Sequence, residues 1–214
     1  MREDGIPMRR IAVSLGVSLS TVSLWVRDIE LSDEQRRANH LRAAKVRSQL
    51  WSERHRAQRR AFQAEGREKA RAGDALHQAG CMLYWAEGDK ARNTARMANS
   101  DVAMVVFFAR FLRACFGLEA DDFTLSLNVY LGNGLSLEEI EAHWLDALEL
   151  PRHCLRKHQL NHTPTSSSGL KKNKLPYGVC SLTARRSTHI VQHIYGAIQE
   201  YAGFDEPRWL DGLY

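Results

Sequence analysis

The stretch IAVSLGVSLSTVSLWVRDIEL, residues 11–31, decides how the beginning of the chain folds. Ala12 supplies a small residue in a first helix, Gly16 tolerates the positive φ of a tight turn, and Val22 is an apolar anchor in a second helix. Ser18 is a favourable N-cap for that second helix. Four further apolar residues recur at helical spacing and are predicted to be buried: Ile11, Leu15, Val17 and Trp25. The stretch therefore predicts two short helices that cross closely at a tight turn.

The outward face of the second helix carries short hydroxyl groups and one arginine, Arg27. Short side chains allow a helix to sit deep in a groove, and Arg27 can reach a phosphate or a guanine. The residues expected to contact DNA are Ser18, Ser20, Thr21, Ser23 and Arg27, together with Arg9 and Arg10 in the first helix. Residues 5–31 resemble bacterial helix-turn-helix regulators and resolvase- or transposase-type DNA-binding domains, which implies double-stranded DNA as the partner. An ordinary helical hairpin is the alternative.

Only residues 1–7 precede this motif, so we expect the helix that usually leads such a domain to be missing or truncated. The core of the motif would then be completed by the residues that follow it. We divide the sequence into a helix-turn-helix over 1–33, a basic helical linker over 34–73, a mixed domain over 74–204 and a tail over 205–214.

Composition limits the classes of function that need to be considered. The chain has 214 residues, 44% of them hydrophobic, a net charge of +5 and a pI near 9.2. This balance suits a polyanionic partner. We expect no signal peptide and no membrane span, and hence a cytoplasmic, nucleoid-associated protein. The cysteines are widely spaced and form no CxxC pair, which predicts reduced thiols: Cys81, Cys115, Cys154 and Cys180.

Positive charge is concentrated between residues 36 and 71. This segment has twelve Lys and Arg residues against three Glu, a net charge of +9, which leaves −4 for the rest of the chain. Its Ala- and Gln-rich composition favours helix. We expect a long, largely solvated basic helix joining two domains. It is either a spacer or a helix that follows the phosphate backbone of DNA, and the two roles are compatible.

Beyond Gly73 the sequence predicts an α+β domain with helices packed on one small mixed sheet. Helices are expected at 75–88, 101–116, 137–148 and 188–202, and strands at 91–98, 123–131, 154–161 and 177–184. Ser100 or Asp101 would cap the second of these helices, which would end at Gly117. Ser136 and Glu139 form a capping box for the third. Residues 163–175 are expected to form a polar loop.

The run MLYWAEGDK, residues 82–90, resembles a LAGLIDADG motif. A polar strand follows it, and then Asn99-Ser100-Asp101 opens an apolar helix, as in one LAGLIDADG-type unit over about residues 75–203. The resemblance implies that motif helices from two units pack together and that their acids hold Mg²⁺ at the scissile phosphates. Asp89 then corresponds to the catalytic, metal-binding acid and Glu87 to a mainly structural one.

Two residues depart from the motif. Tyr84 stands where the family has a closely packed glycine, and Lys90 stands where it has the terminal glycine. Bulky Tyr84 and Trp85 are expected to hinder the tight helix crossing, and Lys90 to neutralise Asp89. The sequence therefore favours a homodimeric, sequence-specific transcriptional regulator with a catalytically inactive nuclease-like domain. The alternative is a Mg²⁺-dependent LAGLIDADG-type DNA endonuclease or a mobile-element protein.

A second basic cluster is expected to contact phosphates as point charges. It consists of Lys171, Lys172 and Lys174, with Arg185 and Arg186 near the end of a strand; a solubilising loop is the alternative. His158 and His162 share one face of a predicted strand and could meet there. Solvated or phosphate-facing histidines are favoured over a metal site at this position, because no carboxylate is near in the sequence.

Overall fold

The computed structural model describes residues 1–90, 93–131, 134–161 and 175–211. Over these residues the fold is α+β, as predicted. The chain divides into two compact units, Met1–His55 and Arg56–Tyr214, and the boundary falls inside one long helix. Each unit has its own buried core.

The first unit contains α1 (Met8–Leu15), α2 (Leu19–Trp25) and the beginning of α3 (Asp33–Arg71). The two short helices and the tight turn between them are confirmed. Ile11, Ala12 and Val22 form the buried core between the helices. Partly buried apolar residues surround these three: Ile6, Met8, Val17 and Val26. Three buried apolar side chains are a very small core for 55 residues.

The prediction that Leu15 and Trp25 are buried is wrong. They are 50% and 61% exposed, because no element of Met1–His55 covers the end of the two-helix core where they lie. The start of α3 contacts the N-terminal turn mainly through polar groups: Gln35 donates to the carbonyl of Glu3 at 2.7 Å, and Asn39 donates to that of Gly5 at 2.9 Å. Residues after the motif therefore fix residues 1–7 in place without completing the apolar core.

The second unit contains the end of α3, four further helices and a four-stranded sheet. The helices are α4 (Ala75–Glu87), α5 (Val102–Phe116), α6 (Leu137–Leu148) and α7 (Thr188–Ala202). The strands are β1 (Arg96–Asn99), β2 (Phe123–Val129), β3 (Gln159–Leu160) and β4 (Val179–Ala184). They pair in the order β1-β4-β2-β3, antiparallel except for the parallel pair β2 and β3.

The helix predictions for this unit are confirmed, including the caps. Asp101 accepts hydrogen bonds from the first turn of α5, Gly117 ends that helix in the left-handed conformation, and Ser136 and Glu139 form the capping box of α6. The strand predicted over 154–161 is wrong for most of its length. A 3₁₀ turn occupies Arg152–Cys154, and pairing to β2 as a named strand begins at Gln159.

The helices cover one face of the sheet, and this is where the core lies. Buried residues alternate with half-buried ones along β2 and β4. Phe123, Leu125 and Leu127 of β2 are buried with Leu182 of β4 and Met97 of β1. Trp144 and Tyr195 are among the large side chains that the helices contribute to the same core.

The end of α3 packs on α7 at a crossing that requires glycine on both helices. A β-carbon on Gly66 would lie 1.9 Å from the carbonyl oxygen of His193, and one on Gly196 would lie 2.0 Å from that of Gln63. Beside this crossing the buried amide of Gln63 donates to Gln192 at 2.9 Å. The prediction of a largely solvated helix is therefore wrong for residues 56–71, which include the buried side chains of Arg59, Gln63 and Ala70.

We expect Gly66→Ala to destabilise the second unit by about 2–3 kcal/mol, because the backbones of α3 and α7 must separate. In an exposed helix, replacing Gly with Ala would instead raise the free energy of unfolding by about 1 kcal/mol. Urea unfolding followed by circular dichroism measures the difference. The control is Ala64→Gly at an exposed position of α3, which should cost only about 1 kcal/mol. Unchanged or increased stability of the Gly66→Ala protein would refute the close crossing.

Candidate nucleic-acid interface

The turn between α1 and α2 depends on Gly16. Its φ is 65°, in the left-handed region, and its N–H bonds to carbonyls of the last turn of α1. The next N–H, that of Val17, bonds back to the carbonyl of Ala12 at 3.1 Å. Any other residue at position 16 would strain the backbone, so the glycine sets the direction in which α2 leaves the turn.

The start of α2 presents a group of three hydroxyls. Ser18 accepts the N–H of Thr21 at 3.1 Å, which confirms it as the N-cap. Its Oγ also lies 2.7 Å from that of Ser20 and 2.8 Å from Oγ1 of Thr21. Ser18, Ser20 and Ser23 are exposed, whereas Val22 on the other side of the helix is fully buried. The outward face therefore carries the polar side chains that the sequence predicted.

Arg27 lies just beyond α2 and is 72% exposed. Its Nε is 3.8 Å from the carboxylate of Asp28, which is itself 93% exposed, so this ion pair is weak and easily exchanged. Arg9 and Arg10 are exposed on α1. These guanidinium groups are accessible to a ligand, and their contact with DNA stays a prediction.

The part of α3 within the first unit is unusually exposed to solvent. Every side chain from residue 40 to residue 54 is exposed. Among the described residues, no carboxylate lies within ion-pair distance of Arg42, Lys45, Arg47 or Arg54. This stretch is the solvated basic helix that the sequence predicted, and its cations are available to a polyanion.

The cations nearer the end of α3 are engaged by carboxylates of the second unit. The guanidinium of Arg67 lies 2.6 Å from the carboxylate of Asp205, and that of Arg71 lies 2.8 Å from the carboxylate of Glu200. The ammonium of Lys69 lies 3.0 Å from the carboxylate of Asp74. Arg56 and Arg59 share Asp211. The Arg71 guanidinium lowers the pKa of Glu200, and hydrogen bonding to Asp74 raises the pKa of Lys69. Fewer cations are therefore available to a phosphate backbone than the net charge of +9 over residues 36–71 suggests.

The sheet presents a polar face on the side away from the helices. Two rows of paired residues cross it, one formed by Arg96, Thr183 and Thr124 and the other by Ala98, Ser181 and Ser126. The residues of β2 and β4 in these rows are half-buried, and Arg96 and Ala98 are exposed. Arg185 follows β4 and is exposed, while Arg156 precedes β3 and is also exposed. Hydroxyls in the middle with cations toward the edges suit contacts to phosphate oxygens.

Asp89 lies beside the edge strand of this sheet. Its N–H donates to the carbonyl of Arg96 at 2.7 Å, and its carboxylate lies 2.7 Å from the Arg96 guanidinium. Glu87 is exposed and accepts a hydrogen bond from Asn99 at 3.2 Å. The cation beside Asp89 is therefore Arg96, which the sequence did not single out.

Lys90 has a different role from the one predicted. Its ammonium donates to the carbonyls of Tyr84 and Trp85, and so it caps the last turn of α4. Burial lowers the pKa of Lys90. Tyr84 is fully buried, stacks on Phe108 and donates to the carbonyl of Asp89 at 2.6 Å. Tyr84 is thus a core residue of this unit, and its hydroxyl fixes the backbone at Asp89.

His158 meets a carboxylate of α6. The N–H of Leu127 donates to Nδ1 of His158 at 3.1 Å, so the proton of the ring is on Nε2, which lies 3.0 Å from the buried carboxylate of Glu141. Arg152 lies 2.6 Å from the same carboxylate. The expectation of a solvated histidine is wrong, because β2 and α6 together enclose the ring.

Two histidines meet in the interior of the second unit. Nε2 of His77 lies 2.9 Å from Nε2 of His193, and Nδ1 of His77 lies 2.8 Å from the hydroxyl of Tyr201. One ring must donate to the other, so a pair with both rings charged would place two N–H groups face to face. Burial and the neighbouring His77 lower the pKa of His193 to about 4, and burial lowers that of His77.

Lys171, Lys172, Lys174 and His162 lie outside the described residues, as does most of the loop predicted over 163–175. Across the described ranges, no group of three or more His, Cys, Asp or Glu side chains is placed to hold a metal ion. Asp89 contributes one carboxylate, already paired with Arg96. Within one chain, the described residues therefore do not form the Mg²⁺ site that the LAGLIDADG resemblance implies.

Sequence reasoning missed the hydroxyl rows of the sheet. The alternation of apolar residues within 123–131 predicts a strand, and the intervening Thr124 and Ser126 carry the signal for its polar face. For the part of the chain that the structure describes, no helix is both long and apolar enough to span a bilayer. Comparison with known proteins finds no matching family model, no similar curated protein and no similar solved structure.

We expect acid to destabilise the second unit between pH 6.5 and pH 4. In the unfolded chain the imidazole of His193 binds a proton near its ordinary pKa of 6.5, whereas in the folded chain it does so only near 4. The unfolded state therefore binds more protons over this range, and stability falls as the pH falls, by up to about 1.4 kcal/mol per pH unit for one such group.

Urea unfolding at several pH values between 7.5 and 4.5 measures this slope. The His193→Gln protein, which keeps a polar side chain but cannot titrate, should show a shallower dependence on pH than the wild type. An equal dependence of the unfolding free energy on pH in the two proteins would mean that the acid sensitivity arises from groups other than His193.

Proposed function

We propose that this protein is a sequence-specific, double-stranded-DNA-binding protein that acts as a transcriptional regulator, with α2 as its recognition helix. One observation carries the proposal. The hydroxyls of α2 and the guanidinium of Arg27 are exposed, whereas Val22 of the same segment is buried in the core. A helix so held can enter a major groove without disturbing its own packing.

The free cations of α3 support the same function. Arg42, Lys45, Arg47 and Arg54 are exposed on a regular helix and are not neutralised by nearby carboxylates of the described residues. Such cations bind phosphates without reading sequence and make affinity depend on salt. They would add binding energy to the few base contacts that a seven-residue recognition helix can make.

The polar face of the sheet is our candidate for a second contact with DNA. Its hydroxyl rows and Arg185 match the chemistry of backbone recognition, and Lys171, Lys172 and Lys174 stay predicted phosphate contacts. In this proposal the second unit is a LAGLIDADG-like domain that holds DNA and has lost catalysis. The ion pair between Arg96 and Asp89 supports the loss, because it occupies the acid that would bind metal.

A homodimer is part of the proposal. One short recognition helix reads only a few base pairs, and a two-fold partner doubles the length of the site. The very small core of the first unit also leaves room for stabilisation by a partner.

We expect Arg27→Ala to weaken binding to the preferred DNA site by about 1–3 kcal/mol, because a contact to a base edge is lost. The site would first be selected from a pool of random duplexes and then compared with a scrambled duplex of equal length by fluorescence anisotropy. Binding to the scrambled duplex should change much less.

The matched control is Arg110→Ala, which removes an exposed arginine from α5 and should leave both affinities unchanged. Equal losses on the two duplexes after Arg27→Ala would assign Arg27 to phosphate contact. Failure to select any site from the pool would refute the proposed function.

A metal-dependent DNA endonuclease is the second candidate, and one observation favours it. The carboxylate of Asp89 is 33% exposed and lies beside Arg96, at the edge of the polar sheet face where DNA is proposed to bind. A second copy could bring another Asp89 close to it, and two carboxylates would then suit Mg²⁺.

We expect no cleavage when plasmid DNA is incubated with the wild-type protein and Mg²⁺ or Mn²⁺, because Arg96 neutralises Asp89. The control is the Asp89→Asn protein prepared in parallel and assayed on agarose gels. Cleavage by the wild type alone would overturn our ranking in favour of the endonuclease, whereas cleavage by both proteins would point to a contaminating nuclease.

A further inference from the structure

Exposed large apolar side chains are concentrated in the first unit. Ten of the fourteen exposed large hydrophobic residues of the described chain lie within Met1–His55, although this unit is about a quarter of the protein. They include Trp25 and Trp51, which are 61% and 66% exposed. Monomeric proteins rarely expose contiguous apolar patches of more than a few hundred Å², and larger patches mark interaction surfaces.

Two of these residues, Leu41 and Trp51, lie in one uncharged stripe along α3. Leu41, Ala44, Ser48, Trp51 and His55 follow one another at intervals of three and four, the spacing of the seam of a coiled coil. The ring of His55 packs on that of Trp51 with their centres 4.1 Å apart. The stripe contains no lysine, arginine or carboxylate; by helical geometry, the nearby cations Lys45, Arg47 and Arg54 lie to either side of it.

We infer that this α3 stripe pairs with the α3 stripe of a second copy of the chain. This inference names the surface of the proposed homodimer and does not depend on DNA binding. The stripe and the aliphatic stems of its flanking cations expose on the order of 500 Å² of apolar surface per copy, more than half of the roughly 800 Å² that each partner contributes to a typical stable interface. The uncharged centre keeps charges out of the buried seam, while the flanking cations of the two copies repel one another and are screened by salt.

The small core of the first unit explains why a second copy is the occupant. Ile11, Ala12 and Val22 alone are buried there, and exposed residues 40–54 add no packing to them. A self-complementary contact along α3 supplies both chains with the missing burial in one symmetric step. A helix exposed on all sides over fifteen residues would otherwise depend on its own helical propensity, which gives only marginal stability to an isolated helix of this length.

The experiment is sedimentation equilibrium of the full chain without DNA, from about 1 to 100 μM, a range chosen because an interface at the small end of the size range is expected to dissociate at micromolar concentration. The wild type should reach a dimer. Leu41→Glu with Trp51→Glu should raise the dissociation constant at least tenfold. The control is Val46→Glu with Leu50→Glu, which places two glutamates on the opposite side of the same helix at residues of similar exposure, 53% and 61%, and should leave dimerisation unchanged.

Circular dichroism establishes that both double variants keep the helix content of the wild type. A wild type that stays monomeric at 100 μM, a Leu41/Trp51 variant that still dimerises, or equal weakening by both variants would each overturn the inference. Shielding of Trp51 fluorescence that appears only on adding DNA to a monomer would assign the stripe to DNA. A dimer that binds no selected DNA would refute the proposed function and leave this inference intact.

Discussion

The close crossing of α3 and α7 is the contact on which the second unit depends. Gly66 and Gly196 let the two backbones approach until each occupies space that a β-carbon would need. The amide of Gln63 is buried beside this crossing, and the ion pairs of Arg67 and Arg71 lie further along the same helix. Five cations of residues 56–71 are therefore paired within the second unit, whereas Arg42, Lys45, Arg47 and Arg54 are not paired with a described carboxylate. The cations of this segment look alike in the sequence but differ in the structure, because one group is paired with carboxylates and the other is exposed to solvent.

Local rules predicted much of the fold. Gly16, Ser18, Asp101 and Ser136 act at the turn or caps expected of them, since each depends on bonds within a few residues. Alternating hydrophobicity predicted β2 for the same reason. The strand expected over 154–161 failed because its pairing depends on how the chain passes β2, and this is a tertiary property that the segment itself does not encode.

The candidate site was less predictable, because its decisive partners are distant in sequence. Asp89 pairs with Arg96, and His158 with Glu141, through pairings that only the sheet and α6 create. Lys90, expected to neutralise Asp89, instead reaches the carbonyls at the end of α4. Exposure of Leu15 and Trp25 was equally unforeseen, since helical spacing identifies an apolar face without saying whether anything covers it. The outward hydroxyls of α2 were predicted because one buried anchor, Val22, sets the helix rotation.

The free stretch of α3 also bears on cooperativity. Because every side chain of residues 40–54 is exposed, the backbone hydrogen bonds there can open without disturbing either core. Loss of structure in one unit is then poorly transmitted to the other, and the chain behaves as two folding units that share a helix. We therefore expect the monomer to unfold in two transitions, which a single unfolding free energy does not describe.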